Sequence, residues 1–327
     1  MKYPQGISDR REFLGLLGRT ALAGAWLACP AMTWAANPAT NSASTGTPEP
    51  WLVCPARAAV GQAFELRVEN VPPRARVFLD WDGARLELFV DRGLDPVGPA
   101  NEPGLAQELV GLDLTHMSGT AKAQTWTATR DLAVSLESVS GARTFRQKVE
   151  IIGRAYPQER LNLPEAMVTP PSPAVEERTR VEREAVARIL AQASARRLWT
   201  LPLLRPVDGV ILSPYGLRRV LNNKPKAPHR GLDFRGAVGT PVQACAQGQV
   251  VLAAEHYYSG RSVYLDHGGG VFSMYFHLSE ISVKEGETVG RGTVLGAVGA
   301  SGRATGPHLH LGLRVPGGLV DPAPLLG

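Results

Sequence analysis

The stretch His308-Leu309-His310-Leu311-Gly312-Leu313-Arg314-Val315 alternates strictly, with an aliphatic residue at every second position. Alternate side chains of a strand share a face, so Leu309, Leu311, Leu313 and Val315 are predicted to enter a core, while His308 and His310 project together from the other side. Two exposed histidines on an edge strand would need no further explanation if the motif stood alone. Six of the seven histidines, however, lie after residue 228, and a histidine pair on one face suits a metal.

The second element is His229-Arg230-Gly231-Leu232-Asp233-Phe234. A straight strand would set the Cα atoms of His229 and Asp233 about 13 Å apart. Donor atoms on one zinc ion each lie within ~2.1 Å of it, so the chain must bend between the two residues. Pro225, Pro228 and Gly231 argue against a helix and for a loop that enters a strand. Two imidazoles and one carboxylate would leave a bound zinc with residual positive charge, enough to activate water and polarise a carbonyl. Spacing leaves open which of His308 and His310 is the third ligand. No His-Glu-x-x-His helix supplies a glutamate base, so a histidine must act instead. His277, at the end of Val271-Phe272-Ser273-Met274-Tyr275-Phe276-His277, is the first candidate, and the remaining imidazole of the pair is the second. Repulsion from the metal should keep both neutral.

Outward from this region, strand signals and glycine-rich turns continue from about Thr200 to Gly327 and predict a second all-β domain, residues 200–327. His267 in Asp266-His267-Gly268 is read as a turn residue, His256 as part of a loop before Gly260, and Cys245 as core packing. Upstream, Ala174–Arg197 is predicted to be one amphipathic helix with Val181, Ala185, Ile189 and Ala193 on its apolar stripe. It follows a connector containing Pro157, Pro164, Pro170, Pro171 and Pro173, and the two together occupy residues 154–199. Residues 51–153 offer short strands such as Ala63–Val68, Arg76–Leu79 and Arg85–Val90, separated by turns at Asp82-Gly83 and Ser140-Gly141. Their number and length predict an antiparallel β-sandwich of immunoglobulin-like size with no catalytic constellation.

The first 35 residues read as a twin-arginine-type export signal. Ser8-Asp9-Arg10-Arg11-Glu12-Phe13-Leu14 precedes a short apolar run and the small-residue exit Thr33-Trp34-Ala35. Leu27-Ala28-Cys29 offers an alternative lipid-anchoring site, and residues 36–50 read as a flexible leader. The run is too short to span a bilayer, so no integral membrane span is expected in the mature chain, which would be periplasmic or secreted. The net charge of +5 includes four cations and two anions of this segment. About +3 remains, too little to argue for nucleic acid. Cleavage leaves Cys54 and Cys245, which are expected to be separately buried thiols. The oligomeric state is not encoded in any of these patterns.

Four segments, Ser213-Pro214-Tyr215-Gly216-Leu217-Arg218-Arg219, Pro228-His229-Arg230-Gly231-Leu232-Asp233, Tyr275-Phe276-His277-Leu278 and Thr305-Gly306-Pro307-His308-Leu309-His310, resemble the M23 (lysostaphin and LytM-like) metalloendopeptidases over roughly residues 206–327. Arg160–Pro170 and the upstream strands also resemble the amino-terminal region of one exported bacterial subgroup. The resemblance implies a mainly β protein with a carboxy-terminal antiparallel LytM-like peptidase domain. It further implies one zinc ion held by His229, Asp233 and His310, catalytic assistance from His277 and His308, and peptide cross-links of peptidoglycan as substrate. A non-catalytic cell-wall-binding or amidase-activating module is the alternative, since relatives of this fold can lose their ligands, but all five positions are filled here. A biotinyl or lipoyl carrier, suggested by the turn-rich Val283–Gly292, lacks a hairpin lysine for attachment and leaves the histidines unexplained.

Overall fold

The computed structural model describes residues 48–92, 103–116, 127–162 and 172–327. The export-type segment, the leader up to residue 47 and the prolines Pro164, Pro170 and Pro171 of the connector lie outside the described residues.

The histidine strand forms as its alternation requires. His308–Val315 is a strand, and Leu309, Leu311, Leu313 and Val315 are all at most 1% exposed. It sits inside a ten-stranded sheet in the order Ile211–Ser213, Leu232–Arg235, His308–Val315, Phe272–Ile281, Gly260–Asp266, Gly248–His256 and Thr288–Val289. Val294–Val298 pairs with both Phe272–Ile281 and Pro241–Gln243, and Gly318–Val320 returns along the histidine strand. Every pairing between these named strands is antiparallel. The core side is closed by fully buried Phe234, Val263, Leu265 and Tyr275. Cys245 belongs to this packing, as expected, and its backbone N–H also donates to the Tyr275 hydroxyl at 2.8 Å. Burial pushes the Cys54 and Cys245 thiols up to about 11, and both are free.

The upstream residues form a four-stranded and a five-stranded sheet. Asp82 and Gly83, both at positive φ, turn Arg76–Trp81 into Ala84–Leu88, which is the hairpin geometry that an Asp-Gly pair favours. The sheets are antiparallel except that Arg57–Ala59 runs parallel to Gly141–Ile152, which corrects the fully antiparallel expectation. Gly111 and Asp113 donate backbone N–H bonds to Pro316 and Gly317, and so join this region to the turn that follows the histidine strand.

Two sequence expectations about the helix need correction. It spans Pro173–Leu190 rather than continuing to Arg197, because tertiary partners capture the chain beyond it. The Asp266 carboxylate accepts the Ser194 N–H at 2.7 Å, and Gly269 and His267 engage the Ser194 and Leu198 backbone. Of the predicted stripe, Ala185, Ile189 and Ala193 are part-buried as expected, but Val181 is exposed. Thr179 is 3% exposed and Val181 50%, with Val175, Glu182, Val186 and Leu190 continuing the part-buried side. The connector contributes a strand of its own, Gln158–Leu161, parallel to Arg218–Leu221.

Candidate metal centre

Three neighbouring strands place the site in one cross-strand row. Asp233 is opposite His310, and His310 is opposite Phe276. His229 precedes its strand and is held by a reciprocal backbone pair, its N–H donating to Leu217 O at 3.0 Å and its carbonyl accepting from Gly216 N at 2.7 Å. The chain thus bends between His229 and Asp233 as the spacing requires. Gly231 allows the bend to press against the neighbouring strand, since a Cβ there would stand 2.5 Å from His310 Nε2 and from the Leu311 carbonyl.

His229 Nε2, Asp233 Oδ1 and His310 Nδ1 lie 2.9–3.0 Å from one another. Among the described residues these three form the single group of His, Cys, Asp and Glu side chains able to hold a metal ion. The chemistry of the donor set fits one. His229 Nδ1 stands 3.0 Å from the Pro214 carbonyl, which can only accept, so Nδ1 carries the proton. A neutral His229 therefore presents a lone pair to Asp233 Oδ1, and two acceptors at that distance repel unless a cation joins them. Four ligands held tetrahedrally at ~2.1 Å stand ~3.4 Å apart, so a few tenths of an ångström of outward movement would accommodate zinc. Burial raises the Asp233 carboxyl, but the hydrogen bonds and charge that His229 and His310 supply when protonated outweigh it and hold the group well below the ordinary carboxylate range. Burial keeps His310 low and hence neutral.

His277 and His308 stand beside this triangle, their ring centroids 4.7 Å apart, and His308 Nε2 is 3.9 Å from Asp233 Oδ1. Each has its Nδ1 on a backbone carbonyl, Ser301 at 2.9 Å and Gly306 at 2.8 Å. Nδ1 therefore carries a hydrogen in each, and a neutral ring in this arrangement has its free lone pair at Nε2, the form a proton acceptor needs. Burial above all, with repulsion from His308 and His310, depresses His277 to about 4. His277 does not end its strand as expected. The strand runs on to Ile281, and His277 has φ 64° where the pairing register with Gly260–Asp266 slips. This bulge lets consecutive residues serve the same face: Phe276 stacks on His310, ring centroids 5.2 Å apart and planes 6° from parallel, while His277 reaches His308.

The remaining histidines fall outside the triangle. His267 is buried, with Nδ1 2.7 Å from Gln247 O and Nε2 2.7 Å from Ser273 Oγ, which is the turn role expected of it. His256 ends the strand Gly248–His256 instead of lying in a loop, because its segment pairs with Gly260–Asp266 through to Gly260. Phe276, Arg230 and Arg314 went unnoticed as site residues, although extending the alternation of His308 and His310 by four positions reaches Arg314. They line, with His310, a cavity of about 530 Å³ whose opposite wall is the helix, through Thr179, Glu182 and Val186.

Residues 227–322 match the model of peptidase family M23. The chain is 47% identical over 91 residues to the peptidoglycan DD-endopeptidase ShyA of Vibrio cholerae, a match covering 28% of this chain and 21% of the relative. It is 40% identical over 112 residues to the DD-carboxypeptidase/endopeptidase Mpg of Neisseria meningitidis, covering 34% of this chain and 26% of the relative. The match thus spans about a quarter or less of these curated relatives' own length. A crystal structure assigned to peptidase M23 from Pseudomonas aeruginosa superposes with a TM-score of 0.54 at 29% identity, covering 78% of this chain and 93% of that one.

Proposed function

Since residues 227–322 form a domain of peptidase family M23, we propose that the chain is an exported, zinc-dependent endopeptidase that hydrolyses peptide cross-links of peptidoglycan. The observation that carries this reading is the convergence of His229 Nε2, Asp233 Oδ1 and His310 Nδ1 within 3.0 Å, beside two imidazoles whose Nε2 atoms are free. The relatives' activities favour the same substrate class. Export to the periplasm or beyond rests on the paired arginines of the amino-terminal segment. Among the described residues no helix is long and apolar enough to cross a membrane.

His229, Asp233 and His310 are the residues that would hold the ion. Zinc, when bound, would supply Lewis-acid polarisation of the scissile carbonyl and lower the pKa of a water. His277 accepts a proton at Nε2, a task for which its depressed pKa of about 4 keeps it unprotonated at neutral pH. The Ser301 carbonyl fixes its ring and holds the opposite proton throughout. Once protonated, His277 can return that proton to the departing amine. His308 also offers only a lone pair at Nε2 while neutral, and the two rings are close enough that protonating one opposes protonating the other. The pair therefore handles one proton at a time, and whichever ring carries it becomes the donor for the developing oxyanion. Phe276 walls His310 against water through its stacked ring.

Cross-linked muropeptides incubated with the zinc-loaded protein should be cleaved, with products identified by mass spectrometry. His310→Ala should lose both metal and turnover, whereas His277→Ala should keep zinc and lose turnover. Intact muropeptides over a range of pH, at stoichiometric zinc, would overturn the hydrolytic reading, and the reverse pattern in the variants would overturn the roles.

A further inference from the structure

Arg314 shares the solvent side of its strand with His308 and His310, four residues beyond the proposed ligand and hence about 13 Å along the strand. Its guanidinium lines the same cavity as His310 and is part-buried. One of its N–H groups donates to the Leu190 carbonyl at 3.3 Å, and no carboxylate among the described residues pairs with it. Five donors in a planar fork with a single weak acceptor make an incomplete arrangement, because a guanidinium cannot shed its proton to relieve the burial.

The acids of the cavity do not complete it. Glu182 accepts from Arg178 at 2.8 Å and from Tyr257 N at 3.0 Å. Asp113 accepts from Thr115 N at 2.9 Å and Leu319 N at 3.3 Å, and stands 3.7 Å from Arg230. Arg230 lines the cavity too, and its buried Nε has no hydrogen-bond partner. The cavity shares His310 with the metal triangle and is lined by three arginines, the exposed Arg183 on the helix and Arg230 and Arg314 beside the strand, while its two carboxylates are already engaged. Burial also disfavours the Arg314 charge, and an incoming anion would relieve this.

We propose that Arg314 is a specificity residue that binds a free carboxylate of the substrate peptide, two to four residues from the scissile bond, with Arg230 as a further cation of the same cavity. The proposal rests on the hydrolytic reading for the identity of the peptide. The distance follows from the geometry: about 13 Å of strand is about four extended residues, less what the long arginine side chain reaches back. The walls contributed by Phe276, Met274 and Val186 would pack the intervening apolar groups. A bidentate carboxylate pair at Arg314 would leave its donation to Leu190 in place, since three further N–H groups remain.

The test uses one synthetic cross-linked peptide in three forms: all carboxyls free, only the chain-terminal carboxyl amidated, and all amidated. Binding by fluorescence anisotropy and cleavage by chromatography are measured with the zinc-loaded wild type, Arg314→Gln and Arg314→Lys. A charged hydrogen-bonded pair predicts that the wild type binds the free form about ten- to a hundredfold more tightly than the fully amidated one. Arg314→Gln should lose that preference, with KM raised, kcat within about twofold and zinc content unchanged, and Arg314→Lys should recover part of it. The singly amidated form tells a chain-terminal carboxylate from a side-chain one. Equal binding of free and amidated peptides by the wild type, or an equal loss on both in Arg314→Gln, overturns the subsite. Preferential binding of the free peptide without any cleavage upholds the subsite and overturns the hydrolytic reading instead.

Discussion

Replacing Gly231 with alanine sets two effects of opposite sign against each other. Gly231 is not at a positive φ, so alanine can adopt its backbone conformation, and the loss of unfolded-state freedom alone would stabilise the protein by about 0.4–1 kcal/mol. The added methyl, however, would stand 2.5 Å from His310 Nε2, 2.5 Å from Leu311 O and 2.6 Å from His310 Cε1. Carbon contacts settle at ~3.5–4.0 Å, so a gap of about 1 Å must open. The Leu311 carbonyl belongs to the paired backbone of Leu232 and Leu311 and cannot rotate away, which leaves the ladder to spread or the His310 ring to move. Overpacking of this kind costs about 1–3 kcal/mol, which exceeds the entropic gain, and the net expectation is a destabilisation of about 1–2 kcal/mol. Displacing a ligand ring should also weaken zinc about ten- to a hundredfold, the scale found when a ligand's supporting contacts are removed. Urea unfolding and competition with a fluorescent chelator measure the two quantities. Gly290→Ala, whose methyl would meet only Thr293 Oγ1 at 3.7 Å, serves as the control. Zinc affinity within twofold of wild type together with an unchanged urea midpoint in Gly231→Ala would refute the close-approach argument.

His277→Gln tests the burial of a neutral imidazole. With the folded group depressed from 6.5 to about 4, neither state binds the proton above pH 6.5. Between pH 6.5 and 4 only the unfolded chain does, so the wild type loses stability as pH falls through that window. At ~1.4 kcal/mol per unit, metal-free wild type should lose about 2 kcal/mol more than His277→Gln between pH 7 and 4.5, and parallel curves would show that His277 is not the buried group. Glu182→Ala removes the acceptor for Tyr257 N and the partner of Arg178. Hydrogen exchange at the Tyr257 amide and along the Pro173–Leu190 helix should accelerate about tenfold or more, as expected for a lost charged hydrogen bond. Unchanged exchange at Tyr257 would mean that Glu182 does not clasp the helix to the cavity.

What could be read from the sequence was whatever a single element encodes. The alternation of residues 308–315 states which side of the strand is buried, and the prolines and glycine around His229 state that the chain bends, because both are local consequences of side-chain geometry. The helix shows the limit of such reading. Its spacing of apolar residues favoured Val181, but the face that packs is chosen by what lies opposite, here the cavity wall where Thr179 is buried and Glu182 accepts from Tyr257 N. Its end was set by Asp266, more than seventy residues away, and no propensity of Ala193 to Arg197 could announce that. Which of His308 and His310 joins Asp233 is likewise a question of register between Leu232–Arg235 and His308–Val315. Neither strand specifies that register alone, and the pairing of Asp233 with His310 decides it.

The bulge at His277 carries the same reasoning into the chemistry. A regular strand can offer a face only every second residue, so a strand that supplied Phe276 to cover His310 would have turned His277 into the opposite layer. Placing His277 at φ 64°, an unfavourable region for a residue with a Cβ, breaks the alternation at that one point. The His277 N–H, displaced from the ladder, is recovered by Ser259 O at 2.9 Å, and its Nδ1 by Ser301 O at 2.9 Å. The Ser301 loop is in turn anchored through its hydroxyl to Arg261 N at 2.9 Å and Leu278 O at 2.8 Å. The backbone strain and the hydrogen bonds that hold it are therefore one device, and its product is an imidazole with a fixed tautomer next to the metal triangle. Residues such as Ser301 and Ser259 have no chemical signature in the sequence, because what they contribute is a carbonyl in the right place.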